Sequence, residues 1–167
     1  SIGVVSNNDE LYATGIEYEN GQLVITGVLD AGLTIGAMVS DNFDRVVRNF
    51  VAEISTETGD GLWITTYGNL DISYGSKLEV TQDGIFVSGT CYSSSRTDQS
   101  PMNGSSMPQG TKAGYIAAFN NQGGYLWDRK MIMNSLDDYC NGYSIVENNG
   151  NVYVSFLNKG NGSFNGQ

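Results

Sequence analysis

Polar and apolar residues alternate with a period of two over short stretches, and between those stretches the apolar residues run on without a break. Residues 77–80, "KLEV", alternate, whereas residues 85–87, "IFV", are continuously apolar. These are the patterns of a half-buried and a fully buried strand. A glycine-containing turn, Thr81-Gln82-Asp83-Gly84, separates Lys77–Val80 from Ile85–Gly89, which predicts a β-hairpin. Asn121-Gln122-Gly123-Gly124 stands in the same way between Tyr115–Asn120 and Tyr125–Met131. No long window carries a helical period; Phe43 to Val51, with Val46, Val47 and Phe50, is a short ambiguous stretch.

The pattern recurs. "YGSKLEVTQDGIFVSG", from Tyr74, repeats "YATGIEYENGQLVITG", from Tyr12, at an offset of 62, and "NGYSIVENNGNVYVSF", from Asn141, follows at a further 67. A second phrase, "FVAEISTETGDGLWITTYG" from Phe50 and "YIAAFNNQGGYLWDRKM" from Tyr115, sets Trp63 and Trp127 in matching positions. Internal repetition of this length governs the fold. Each unit reads as four short strands, so the expected fold is all-β: a β-propeller segment of roughly two to three four-stranded antiparallel blades. The repeats fall near residues 12–73, 74–140 and, incomplete, 141–167, within one domain spanning 1–167. A ring closes with about four to eight blades, so the chain is expected to be one part of a larger protein. Its open edges would be covered by the remaining blades or by neighbouring subunits.

The stretches "LWITTYGNLDISYGSKLEVTQDGIFVSGT" and "YLWDRKMIMNSLDDYCNGYSIVENNGNVYVS" share a further order of features. A strand ending in Leu-Trp leads to a polar link with Asp, a Tyr/Gly pair, a strand, an Asp-Gly or Asn-Gly turn and a Val-rich strand. This resembles the large-blade propeller repeat of secreted and cell-surface proteins, the seven-bladed β-propeller-type repeat, over most of the chain. Asn69-Leu70 and Ser135-Leu136 stand where that repeat has glycine before the acid. The resemblance implies an extracellular or cell-surface protein with a structural, adhesive or ligand-presenting role. Fold alone does not set function.

Composition narrows the partners. The formal charge is −10, from 18 acidic and 8 basic residues, and an acidic chain without a basic cluster repels nucleic-acid phosphates. No apolar run approaches the roughly 20 residues of a membrane-spanning helix. The absence of histidine removes Ser-His-Asp and Cys-His mechanisms from this chain. The recurring acids Asp71, Asp137 and Asp138 are candidate calcium ligands, but they lack the dense alternation of an EF-hand loop, and turn formation through backbone N–H groups is the simpler role. Asn103-Gly104-Ser105 and Asn161-Gly162-Ser163 are N-glycosylation sequons, making Asn103 and Asn161 candidate acceptors. Trp63 and Trp127, set identically inside strands, are expected in core packing rather than in a sugar site.

If four strands per unit run alternately up and down, the tight hairpins share one rim and the long connections the other. That second rim gathers residues 29–47, the Ser- and Pro-containing stretch 91–112 and the 158–167 tail, together with the links around Asp9, Asp71 and Asp137, and loops of this kind carry binding functions. Cys91 and Cys140, the two cysteines, fall on the same rim, which predicts a disulfide between neighbouring repeats; buried free thiols are the alternative. The expected function is a non-enzymatic extracellular structural or interaction module, and the alternative is a carbohydrate-binding or carbohydrate-processing propeller with glycans as partners.

Overall fold

A chain of short alternating strands joined by glycine turns forms meanders, and meanders bury their apolar faces by stacking on one another. The computed structural model describes residues 4–5, 11–29, 32–40, 48–68, 77–92, 111–135 and 137–165, and these form antiparallel sheets and no helix. The first sheet is a four-stranded meander of β2 (Leu11–Glu19), β3 (Gln22–Leu29), β6 (Arg48–Ile54) and β7 (Gly61–Tyr67). The second comprises β8 (Lys77–Val80), β9 (Ile85–Tyr92), β10 (Lys112–Phe119) and β11 (Tyr125–Met133), extended beyond β11 by β14 (Gly162–Asn165). The third is the hairpin of β12 (Tyr139–Asn148) and β13 (Asn151–Lys159). A small sheet joins β1 (Val4–Val5) to β4 (Thr34–Ile35) and β5 (Met38–Val39).

The two predicted hairpins form at the predicted turns, each with strands reaching slightly further than expected. The ambiguous stretch resolves in part: residues 48–54 are strand β6, while residues 41–47 lie outside the described residues. The first and third sheets open with the same turn. Asn20-Gly21 and Asn149-Gly150 all take positive φ, between 51° and 84°, the geometry of a type I′ hairpin. The hairpins also share a register irregularity, between Ala13 and Gly15 in β2 and between Gly142 and Ser144 in β12. These two hairpins thus share both their turn and the place of their register irregularity.

The period of two sends alternate residues to opposite faces. In the first sheet, Val24, Val51 and Tyr67 face the second sheet and meet Val87, Tyr115 and Phe119 there. Tyr67 packs edge-on to Tyr115 at 6.2 Å and against Phe119 at 5.1 Å between ring centroids. The other face of the first sheet, with Ile25, Phe50 and Ile54, is covered by Leu33 and Ile35 from the chain between β3 and β6. The third sheet lies on the second sheet's opposite face at glycine contacts. A Cβ on Gly142 would sit 2.6 Å from the Gly89 nitrogen, where the two backbones approach too closely for a side chain, and one on Gly114 would sit 2.5 Å from the Phe156 ring that fills the space beside it.

The expected disulfide is corrected by this geometry. Cys91 and Cys140 are not disulfide-bonded, and both are fully buried. Cys91, paired with Ala113, belongs to the layer between the first and second sheets, whereas the Cys140 sulfur lies against Gly114 and 3.6 Å from the Met131 sulfur on the other face. Strand parity placed both residues at one rim, but the alternation within strands turns the thiols apart.

Between the first two sheets sits a buried ion pair. Lys130 and Asp128 face the first sheet, 2.6 Å apart and about as buried as the apolar residues around them, at 4% and 5% side-chain exposure, and the Tyr125 hydroxyl donates to the same carboxylate. Removing one partner of such a pair costs about 3–5 kcal/mol, because the other charge stays buried, whereas a volume-matched apolar pair is often neutral. Asp128→Ala is therefore expected to lower the unfolding free energy by that amount in denaturant titration, and Asp128→Leu with Lys130→Met to recover most of it. A loss below about 1 kcal/mol in the single variant would place the pair in a solvated setting instead.

Candidate functional site

The residues with the most chemistry gather where the inner strands β2, β8 and β12 meet. Each is the edge strand of its sheet, and an edge strand leaves outward N–H groups unpaired by its own ladder. The Glu17 carboxylate of β2 accepts the Val80 N–H of β8 at 2.7 Å. The Glu79 carboxylate of β8 accepts the Glu147 N–H of β12 at 3.0 Å. Glu17 and Glu79 are separated by the repeat offset of 62, and their amide partners Val80 and Glu147 by the second offset of 67. One interaction therefore recurs between consecutive sheets, each glutamate closing an edge amide of the next.

The cost is crowding of like charge. Glu17, Glu19, Glu79, Asp83 and Glu147 line a cavity of about 340 Å³ with Asn20, Thr81 and Gln82. Burial pushes the Glu17 carboxyl above its ordinary value of 4.5; the Val80 N–H opposes the shift, and the Glu79 and Glu19 charges add to it. Further polar contacts tie the same end of the sheets together. Gln22 donates to the Asn121 carbonyl at 3.1 Å, Asn121 to the Gln82 carbonyl at 2.9 Å, and Thr65 to the Gly123 carbonyl at 2.7 Å. A second cavity, of about 330 Å³, is lined by Met38, Val39, Ser40, Trp63, Ile64 and Thr66 and has no titratable group in its wall.

The sequence-predicted sites lie elsewhere. Asp137 is exposed and its N–H meets the Ser135 hydroxyl at 3.3 Å, while the Asp138 N–H meets the Ser135 carbonyl at 3.2 Å, contacts that shape the turn between β11 and β12. Asp71 and Asn103 lie outside the described residues. Among the described residues no group of three or more Cys, Asp or Glu is placed to hold a metal ion. Asn161 is exposed just before β14, and its carbonyl accepts the Asn134 N–H. Trp63 and Trp127, expected in core packing, are half-buried; only Trp63 packs against the layer between the first and second sheets. Trp63 donates to Glu53 at 2.7 Å, with Gly123 against its ring, and Trp127 packs on Phe86 beneath the Arg129 guanidinium. The glutamate links escaped the sequence reading, although the in-step Glu17 and Glu79 were their visible half; the partners are backbone amides, which no residue type marks.

Two outcomes follow from this geometry. A carboxyl whose folded value is raised binds its proton more tightly in the folded chain, so its contribution to stability is full below 4.5 and is lost as pH rises through the raised value. The difference in unfolding free energy between wild type and Glu17→Gln should therefore fall as pH rises from 4.5 through the raised value; a flat or rising difference would contradict burial at this carboxyl. Burial also pushes the Cys91 thiol up to about 12, against the attraction of Lys130, and since the thiolate is the reactive form, both buried thiols should resist alkylation in the native chain and react fully in denaturant without reductant. Detection of a Cys91–Cys140 cross-link by mass spectrometry would overturn the placement of the two thiols on opposite faces.

Comparison with protein-family models, with curated proteins and with solved structures finds no match to this chain.

Proposed function

We propose that the chain is a non-enzymatic structural and interaction module, a segment of a β-propeller-type stack that holds its long connections out on one rim, acting outside the cell or at its surface. The recurring carboxylate-to-amide link carries this reading. A contact repeated at the same register between successive sheets is what a modular stack needs and what a single catalytic centre does not. The connections from Leu29 to Arg48, from Tyr67 to Lys77 and from Tyr92 to Lys112 all leave the end of the sheets opposite the tight turns, which suits presentation of a binding surface. The exposed sequon residue Asn161 is compatible with an extracellular setting.

Hydrogen exchange on Glu79→Ala tests the module. Loss of a charge-assisted bond worth about 1.5–3 kcal/mol should raise exchange at the Glu147 amide about 10- to 150-fold while the interior of the first sheet keeps its protection. Unchanged exchange at Glu147 would remove the link and the reading with it. A glycan array run on the wild-type protein should show no specific retention; a glycan held by the wild type and released by Glu19→Gln or Asp83→Asn would favour the carbohydrate-binding alternative.

A further inference from the structure

β3 and β9, which follow the first hairpin turn of their sheets, are both interior strands. β6 closes β3 and β10 closes β9 in one register: Gly27 opposite Phe50 and Ile25 opposite Ala52 in the first sheet, Gly89 opposite Tyr115 and Val87 opposite Ala117 in the second. β13 holds the same place after Asn149-Gly150, yet among the described residues it pairs with β12 alone, and the chain beyond it crosses to β11 as β14. The face of this hairpin turned away from the second sheet is also open. Tyr153 is 55% exposed and Leu157 50%, whereas Val24, two repeats before Tyr153, is fully covered by the second sheet. The far end of the stack differs, because Leu33 and Ile35 already cover the first sheet there.

We propose that the free edge of β13 is a strand-acceptor site for an extended polypeptide segment from a partner chain, bound antiparallel. The inference rests on the repeat-module reading and names the partner's chemistry. β6 and β10 define what such an edge takes: aromatic, β-branched, alanine, any residue, apolar, as in Phe50-Val51-Ala52-Glu53-Ile54 and Tyr115-Ile116-Ala117-Ala118-Phe119. The aromatic residue lies over the opposing glycine, where a Cβ would come 2.7 Å from the Phe50 ring at Gly27 and 2.9 Å from the Tyr115 hydroxyl at Gly89. The corresponding position of β13 is Phe156, whose own ring fills that side against Gly114. The accepted strand therefore carries a small residue opposite Phe156 and keeps the alanine and apolar positions after it. A formal charge of −10 on each chain disfavours a second copy as the occupant and favours a neutral or basic segment.

A labelled peptide with the sequence of residues 112–120 carrying Tyr115→Ala is the probe, titrated into the full chain with anisotropy and backbone amide shifts as readouts. Saturable binding is expected, with shifts concentrated in residues 151–159. The same peptide with tyrosine retained should bind about tenfold more weakly, from overpacking against Phe156, and one carrying Ala117→Pro, which lacks a strand donor, should not bind. No saturable binding, shifts centred elsewhere, or equal binding by the proline peptide would overturn the proposal, as would a concentration-dependent dimer with β13 protected. If Glu79→Ala still exposes the Glu147 amide in that preparation, failure of the peptide removes the acceptor edge alone and leaves the stacked module standing.

Discussion

The outward amides of the inner edge strands set the terms for the rest of this fold. β2, β8 and β12 each end a ladder, and an edge left open both loses hydrogen bonds and invites unwanted pairing. Here an edge amide of β8 and one of β12 are closed by a side chain from the sheet before: Glu17 serves Val80, and Glu79 serves Glu147. Because a glutamate must reach across the gap between sheets, the link fixes how far each sheet slides along the last. It also brings carboxylates from successive repeats to one place. The acidic cavity and the raised Glu17 carboxyl are thus consequences of stacking and need no ligand to explain them.

Behind that edge the layer between the first two sheets holds the larger of the two apolar clusters. Tyr67, Tyr115, Phe119 and Tyr125 form a chain of ring contacts between 5.1 and 6.2 Å, geometries in which each pair contributes about 0.5–1.5 kcal/mol beyond its buried area. Four aromatic residues with three hydroxyls bring polarity into the layer, and Lys130 with Asp128 adds charge. Tyr67 and Tyr115 bring their hydroxyls within 3.3 Å of each other, and Tyr125 donates to Asp128, so these groups answer one another within the layer. Buried polar groups so paired favour one register over its neighbours, since a slip by one residue turns every one of them to the wrong face.

Much of this was legible in the residues, for reasons that differ by element. The hairpins at 81–84 and 121–124 were readable because glycine and asparagine mark turns and the flanking runs alternate. The short β4–β5 hairpin over Ile25, Phe50 and Ile54 was not, because it falls in a connection where the repeat is silent and two-residue strands carry no period. β14 escaped because its apolar content is a single phenylalanine, Phe164. The cysteines show a subtler failure. The rim argument follows chain direction and ignores faces, so it brought Cys91 and Cys140 to one end of the sheets and lost the half-turn that separates their side chains.

The third repeat breaks the pattern at the two positions that matter for what comes next. Val146 stands where Glu17 and Glu79 stand in the first two repeats, and the adjacent Glu147 carboxylate is engaged by the Gly150 N–H of its own hairpin. Phe156 stands where Gly27 and Gly89 stand. The hairpin therefore has no carboxylate in position to close the edge of a following sheet, and no open glycine for an incoming aromatic ring to cover. The strand proposed for this end would be held by ladder hydrogen bonds along β13 and by apolar contact with Val146, Tyr153 and Leu157, all of them at least half exposed. The first sheet's far face is filled by Leu33 and Ile35, whereas among the described residues the outward face of the β12–β13 hairpin leaves Tyr153 and Leu157 half exposed.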